Sequence, residues 1–186
     1  MKITLIRHGS VEEAYQGCYN GHIEIGLSQA GREEAVALAE TLQGVKFDRV
    51  YCSDLRRARE TIAPFEQEKD AIYTAALREK SWGRHEGMHF DAIIAEGEIE
   101  YKNFIEWIEA LDGEDYREYI SRVEQFFLEF LLQEECDTIL VLTHAGVIRT
   151  LISIVQNISL EEAFSVAIPY GGYMVFDTES GSFESH

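Results

Sequence analysis

The chain has few of the residues that break or staple a fold. Of its 186 residues only two are proline, Pro64 and Pro169, and only three are cysteine, Cys18, Cys52 and Cys136. An odd number of widely spaced cysteines does not make a disulfide framework. Free thiols in a reducing compartment are expected, with Cys52 a small core residue inside an apolar run. No Gly/Ser-rich linker, internal repeat or low-complexity tract divides the sequence, so one domain over residues 1–186 is expected. No apolar run reaches the roughly 20 residues of a membrane span. The first, Ile3 to Ile6, is too short for a signal peptide, and Arg7 interrupts it. These absences point to the cytoplasm. Positive charge is scarce as well: 16 Lys and Arg stand against 34 Asp and Glu, a formal net charge of −18. Such a surface repels nucleic acid and anionic membranes. It still permits a small anionic substrate in a locally basic pocket.

What is present alternates between short apolar runs and amphipathic stretches. Ile3 to Ile6 predicts a buried strand that ends abruptly in Arg7, His8 and Gly9. Residues 8–27 predict a long polar loop, and a loop of that length in a compact domain is usually functional. Ser28 predicts an N-cap; Ala35, Leu38, Ala39 and Leu42 follow at helical spacing until Gly44 stops the helix. Val50 to Cys52 predicts a second strand. Ser53 or Asp54 then caps a helix carrying Leu55, Ala58 and Ile62 that ends at Pro64. Ala71 to Tyr73 predicts a third strand, and residues 78–89 a polar loop.

Helices are expected over 90–111 and 115–134, the second with an apolar stripe from Tyr116 through Val123 to Leu131. Thr138 to Leu142 is a continuous apolar run, as a central parallel strand requires. Thr143, His144, Ala145 and Gly146 follow, then a helix from Val147 to about Val155. A helical turn near 160–166 and a final edge strand over Tyr173 to Phe176 complete the pattern. Repeated strand–helix units predict an α/β, three-layer sandwich with a mostly parallel central sheet.

That pattern has a geometric consequence. Two buried strands, far apart in the chain, each end in a histidine. If they run parallel in one sheet, both imidazoles sit on the rim at the strands' carboxyl ends, where ligands of open α/β sheets bind. The helix after His144 would aim its N-terminal amides at the same rim, which favours an anion there.

The residues at these places also resemble a family. Leu5-Ile6-Arg7-His8-Gly9 is similar to the signature of the histidine phosphatase (phosphoglycerate-mutase-like) superfamily. Ser53-Asp54-Leu55-Arg56-Arg57-Ala58 with Thr61 resembles its second motif. Leu77-Arg78-Glu79 with Gly83, Glu86 and Gly87 resembles its third, and Thr143-His144-Ala145-Gly146 its fourth. The four occur in family order from residue 2 to about 155.

The resemblance implies a phosphoglycerate-mutase-like fold and phosphoryl transfer to His8, with hydrolysis of the phosphohistidine. It implies that Arg7 and Arg57 grip the phosphoryl oxygens, that His144 adds a donor, and that Glu79 is a general acid of raised pKa. It implies substrate contacts at Asn20, Gly21, Ala145 and Gly146, no metal and no cofactor; Ser10, two residues past His8, and His22, in the long first loop, are further candidates for substrate contact. The partner it implies is a small phosphorylated metabolite.

Within the superfamily, Gly17-Cys18-Tyr19-Asn20-Gly21-His22 with Leu27, Ser28 and Gly31 is similar to alpha-ribazole phosphatases, which act late in cobalamin assembly. Ser10, Val11 and Ala14 depart from the family pattern. Ala14 replaces an asparagine that contacts phosphate, leaving Ser10 to compensate; Gly26 stands where many members have proline. Phosphoglycerate mutase chemistry and a protein phosphohistidine phosphatase stay open as alternatives, although the short stretch after His144 favours hydrolysis over a lidded mutase. Two other features are expected to be ordinary. His85, Glu86 and His89 match the metalloprotease spacing, but Gly83 and Gly87 weaken the helix it needs. Arg56 and Arg59 are expected at the surface; Arg84 and Arg149 are candidates for the pocket rim, with ordinary surface pairing the expected outcome.

Overall fold

The computed structural model describes residues 1–186. In chain order its elements are β1 (Lys2–Arg7), β2 (Cys18–Tyr19), α1 (Gln29–Thr41), β3 (Arg49–Ser53), α2 (Arg56–Ile62), β4 (Ile72–Thr74), β5 (Met88–His89) and α3 (Phe90–Ala95). Then come α4 (Phe104–Ala110), α5 (Tyr116–Glu124), β6 (Thr138–Thr143), α6 (Ala145–Gln156), α7 (Leu160–Phe164), β7 (Tyr173–Asp177) and β8 (Ser182–Ser185). Six strands form one sheet in the order β4-β3-β6-β1-β7-β8. The first four are parallel; β7 and β8 are added antiparallel. No helix is long and apolar enough to cross a membrane.

The run in β6 is apolar throughout because both faces of the sheet are covered. Successive strand side chains point to opposite faces. Ile139 and Val141 pack with Phe127, Leu131 and Leu151 under α5 and α6, while Leu140 and Leu142 pack with Leu38, Ala58 and Ile62 under α1 and α2. Burying one such side chain contributes about 1.5–3 kcal/mol. The result is the three-layer α/β sandwich with a mostly parallel sheet. A third apolar cluster, Trp82, Ile93, Trp107, Ile108 and Leu111, lies beside Tyr19 and Met88. There β2 pairs with β5, and the Trp107 indole N–H donates to the Tyr19 hydroxyl at 2.9 Å. This ties the long first loop to residues 82–111.

Four elements differ from expectation, each for a physical reason. Helix α2 begins after Leu55 with no side-chain cap. Ser53 turns instead to His144, and both Asp54 oxygens are taken by Arg78 at 2.7 Å. The helix expected over 90–111 is two, because Gly97 adopts a left-handed φ of 68° and Asn103 caps a fresh start by accepting the Glu106 N–H. After Glu124 the next helix widens into a π-helical turn, Gln125–Phe130, and tightens into a 3₁₀ turn, Leu131–Gln133. The wider turn lets Phe126, Phe127 and Leu131 all face the core while Phe130 stays exposed. Finally, β7 is not an edge strand: β8 covers it, with Phe183 stacked on Phe176 at 4.7 Å. Apart from Phe183, β8 is polar, so it carries no apolar alternation.

Candidate active site

The register of β1 against β6 sets Arg7 opposite Thr143. One residue further on, His8 and His144 meet edge to face, ring centroids 5.1 Å apart. The shared rim inferred from the two strand ends is therefore present. Gly9 allows the turn: a Cβ there would sit 2.6 Å from the Gly31 carbonyl oxygen at the start of α1.

The His8 Nδ1 lies 2.8 Å from the Gly9 carbonyl oxygen. A carbonyl only accepts, so Nδ1 carries the proton and the Nε2 lone pair is left available. Burial, then Arg57 and Arg7, hold the His8 pKa well below its ordinary 6.5. Burial, then Arg57 and His8, do the same to His144. His144 Nε2 meets the Ser53 hydroxyl at 2.8 Å, and its buried Nδ1 has no partner.

These shifts carry a sign. Unfolded, both imidazoles take up a proton near 6.5; folded, neither does until well below it. The unfolded chain therefore binds more protons in that window, and acidification below about 6.5 favours it. Thermal unfolding midpoints should fall as pH is lowered from 7 toward 5. A His144→Gln variant should show a shallower decline; an unchanged slope would contradict the assignment.

Two guanidinium groups flank His8. Arg57 is 1% exposed and donates to the carbonyls of Gly21 (2.7 Å) and Ile23 (3.2 Å). Burial lowers its pKa to about 10, so it stays charged at neutral pH. Arg7 donates to the Ile168 carbonyl at 2.6 Å, its buried Nε has no partner, and its guanidinium lies 3.6 Å over the Tyr170 ring. Neither arginine has a carboxylate in salt-bridge contact. Desolvated cations whose hydrogen-bond partners are carbonyls attract an anion strongly.

Glu79 completes the group. One carboxylate oxygen accepts from the Tyr119 hydroxyl and the Lys80 N–H, each at 3.1 Å; the other accepts the Gly146 N–H at 3.0 Å. A Cβ on Gly146 would collide with that carboxylate and force Glu79 to shift. The start of α6 thus offers an amide to Glu79.

A cleft of about 190 Å³ brings together Arg7, His8, Asn20, Gly21, Arg57, Glu79, Ala145 and Gly146. His144 lies behind His8, fully buried and outside the cleft lining, with Nε2 held by Ser53, so it is not placed as the phosphoryl donor that the resemblance implied. Two of the expected substrate contacts are directed elsewhere. The Ser10 amide and hydroxyl both donate to the Glu34 carboxylate at 2.7 Å, so Ser10 is not poised to replace the missing asparagine. The His22 ring is held 2.8 Å from the Glu79 carbonyl oxygen, where it braces the Glu79 backbone and does not line the cleft. Asn20 donates to the Tyr15 carbonyl at 2.8 Å and buries an Oδ1 without a partner.

The cleft also contains Cys18 and Tyr19 from the first-loop stretch, and Trp82, Arg149, Phe164 and Tyr170, which lie outside the quoted motifs. Arg149 is not a surface ion pair: it is half-buried and donates Nε and Nη2 to the Val166 carbonyl. Arg84 and Arg56 do pair at the surface, with Glu96 and Glu98 and with Glu60. His85 ends a 3₁₀ turn and Gly87 has a φ of 78°, so His85 and His89 do not share a helix face.

Comparison with known proteins adds to this geometry. The family model for the histidine phosphatase superfamily (branch 1) matches residues 3–186. The adenosylcobalamin/alpha-ribazole phosphatase of Escherichia coli (strain K12) is 29% identical over 95% of this chain and 90% of its own length. The 2,3-bisphosphoglycerate-dependent phosphoglycerate mutase of Bartonella henselae is 29% identical over 97% of this chain and 93% of its own. The crystal structure of the alpha-ribazole phosphatase from Shigella flexneri matches with a TM-score of 0.83 and 26% identity, covering 100% of this chain and 95% of that one.

Proposed function

Since the chain belongs to the histidine phosphatase superfamily, whose phosphoryl transfer passes through a histidine, we propose that it is a metal-independent phosphomonoesterase with His8 as nucleophile. One observation carries this reading: His8 commits Nδ1 to the Gly9 carbonyl and keeps a neutral Nε2 between two guanidinium groups, in one cleft with Glu79. In the first step Nε2 forms a bond to phosphorus and the ester P–O bond breaks. Arg7 and Arg57 hold the non-bridging oxygens, and Glu79 gives its proton to the departing alkoxide. In the second, Glu79 takes a proton from water, the water oxygen attacks phosphorus, and the P–N bond breaks to release inorganic phosphate. His144 orients His8 from behind; Asn20, Gly21, Ala145 and Gly146 border the substrate. The arginines supply the charge stabilisation, and losing one such donor typically costs about 3–4 kcal/mol of barrier.

The substrate we assign is a small cytoplasmic phosphomonoester, with alpha-ribazole 5'-phosphate the leading candidate. The alpha-ribazole phosphatases matched along nearly the whole chain support it, as does the first-loop sequence from Gly17 to His22. The test is a screen of EDTA-treated protein against alpha-ribazole 5'-phosphate, sugar phosphates and 3-phosphoglycerate. Alpha-ribazole 5'-phosphate should rank among the best; a place among the poorest overturns the assignment.

Arg149 favours a second reading. It borders the cleft, and its Nη1 has no hydrogen-bond partner. A guanidinium so placed suits a carboxylate on the leaving alcohol, as in a phosphorylated hydroxy acid. On this reading Arg149→Met lowers kcat/KM for 3-phosphoglycerate about tenfold or more, the value of one charge-assisted hydrogen bond. It leaves p-nitrophenyl phosphate within about twofold. Equal effects on both substrates would dismiss it.

A further inference from the structure

We propose that Tyr170 is a further catalytic residue: its phenol donates a hydrogen bond to the transferring phosphoryl group, replacing the one for which Ala14 has no side chain. This rests on the His8 reading, and three observations carry it.

The first is what the long first loop supplies. Ala14 sits in an exposed 3₁₀ turn, Glu13–Tyr15, and has no polar side-chain atom. The Ser10 hydroxyl is consumed by Glu34. The Asn20 amide is spent on the Tyr15 carbonyl.

The second is where Tyr170 stands. It borders the cleft, its ring centroid is 5.6 Å from that of His8, and the Arg7 guanidinium covers its face at 3.6 Å. The phenol lies close enough to influence both Arg7 and Arg57 electrostatically. An oxyanion gripped by both guanidinium groups would share the cleft with the phenol. Tyr170 is half-buried at the cleft, and no acceptor in the protein takes its hydroxyl proton.

The third is how firmly Tyr170 is held. The Gly171 N–H donates to the His8 carbonyl at 3.2 Å, and the Arg7 N–H to the Gly172 carbonyl at 3.1 Å. Gly171 has a φ of 62°, which favours glycine, and Arg7 also holds the Ile168 carbonyl. The segment carrying Tyr170 is thus bolted to the end of β1, on both sides of the nucleophile. A donor fixed before the reaction begins needs no reorganisation as charge develops.

The competing role is a platform for Arg7, as a cation–π contact. Tyr170→Phe separates the two, since it keeps the ring and removes only the hydroxyl. The measurements are kcat and KM with p-nitrophenyl phosphate, and the affinity for inorganic phosphate by titration calorimetry. A hydrogen bond to a charged group predicts a loss of about ten- to a hundredfold in kcat, weaker phosphate binding and an unchanged thermal midpoint. If Tyr170→Phe matches the parent within twofold in turnover and phosphate affinity, and Tyr170→Leu is impaired, the ring alone matters and the proposal falls. Acid-labile phosphate trapped on His8 of the parent reports on the nucleophile independently. Failure of that reading and failure of this one therefore give different results.

Discussion

Replacing His8 with alanine should reduce kcat on an aryl phosphate by at least about 10⁴-fold, the scale on which loss of a nucleophile is felt. The parent protein, quenched during turnover, should carry phosphate that is released by acid; the variant should carry none. The size of the effect follows from position. His8 is the one imidazole in the cleft, and its Nε2 has no protein partner, whereas Nε2 of His144 is held by Ser53. The fold should survive, because the backbone bond from His8 to the Thr143 carbonyl does not depend on the side chain. Removing a buried imidazole that resists protonation should also leave the variant less acid-sensitive than the parent. Full activity in His8→Ala would sink the mechanism.

Glu79→Gln should separate the two chemical steps by the quality of the leaving group. An alkoxide needs a proton to depart, so an alkyl phosphate should lose about 10²- to 10⁴-fold, the usual contribution of a general acid. An aryl oxide departs without help. With p-nitrophenyl phosphate the variant should therefore release a burst of about one equivalent of p-nitrophenol, then stall. The stall arises because the same carboxylate is needed to activate the water. Phosphohistidine should accumulate on the variant during that stall. Glutamine is close in size to glutamate and keeps an acceptor for the Gly146 amide, so the start of α6 should not shift. Equal losses for alkyl and aryl esters with no burst would exclude Glu79 from both roles.

The parts of the site legible in the sequence were those written in short, contiguous stretches. Arg7, His8, Arg57, Glu79 and His144 each sit in a local motif, and the apolar runs before His8 and His144 already implied a common rim. Tyr170 was not legible in that way, and Arg149 only as a candidate for the rim. Their access to the cleft depends on how the segment from Phe164 to Gly172 folds back over β1, a tertiary fact with no local signature. Tyr119 belongs to the same class: on the helical stripe it reads as core, and only packing shows that its hydroxyl reaches Glu79. The missed N-cap of α2 has another cause. Ser53 and Asp54 have the right chemistry for capping, but His144 and Arg78 engage them. At β7 the sequence reading failed because β8 is too short and polar to stand out. The fold class was legible because burial on both faces leaves an unbroken apolar run in β6, and two-layer coverage demands such a run.

The place of β1 in the sheet bears on how the molecule comes into being. The first strand pairs with β6 and β7 and with nothing that precedes residue 138. During synthesis it must therefore wait, apolar and unpaired, until most of the chain has left the ribosome. Pairings across so long a separation are slow to form and expose unpaired strand in the interval. The nucleophile at the end of β1, its partner at the end of β6 and the Tyr170 segment then come together in the same late event. A fragment ending before β6 lacks the strand that seats His8, and assembly of the sheet's centre and the onset of catalysis are one step.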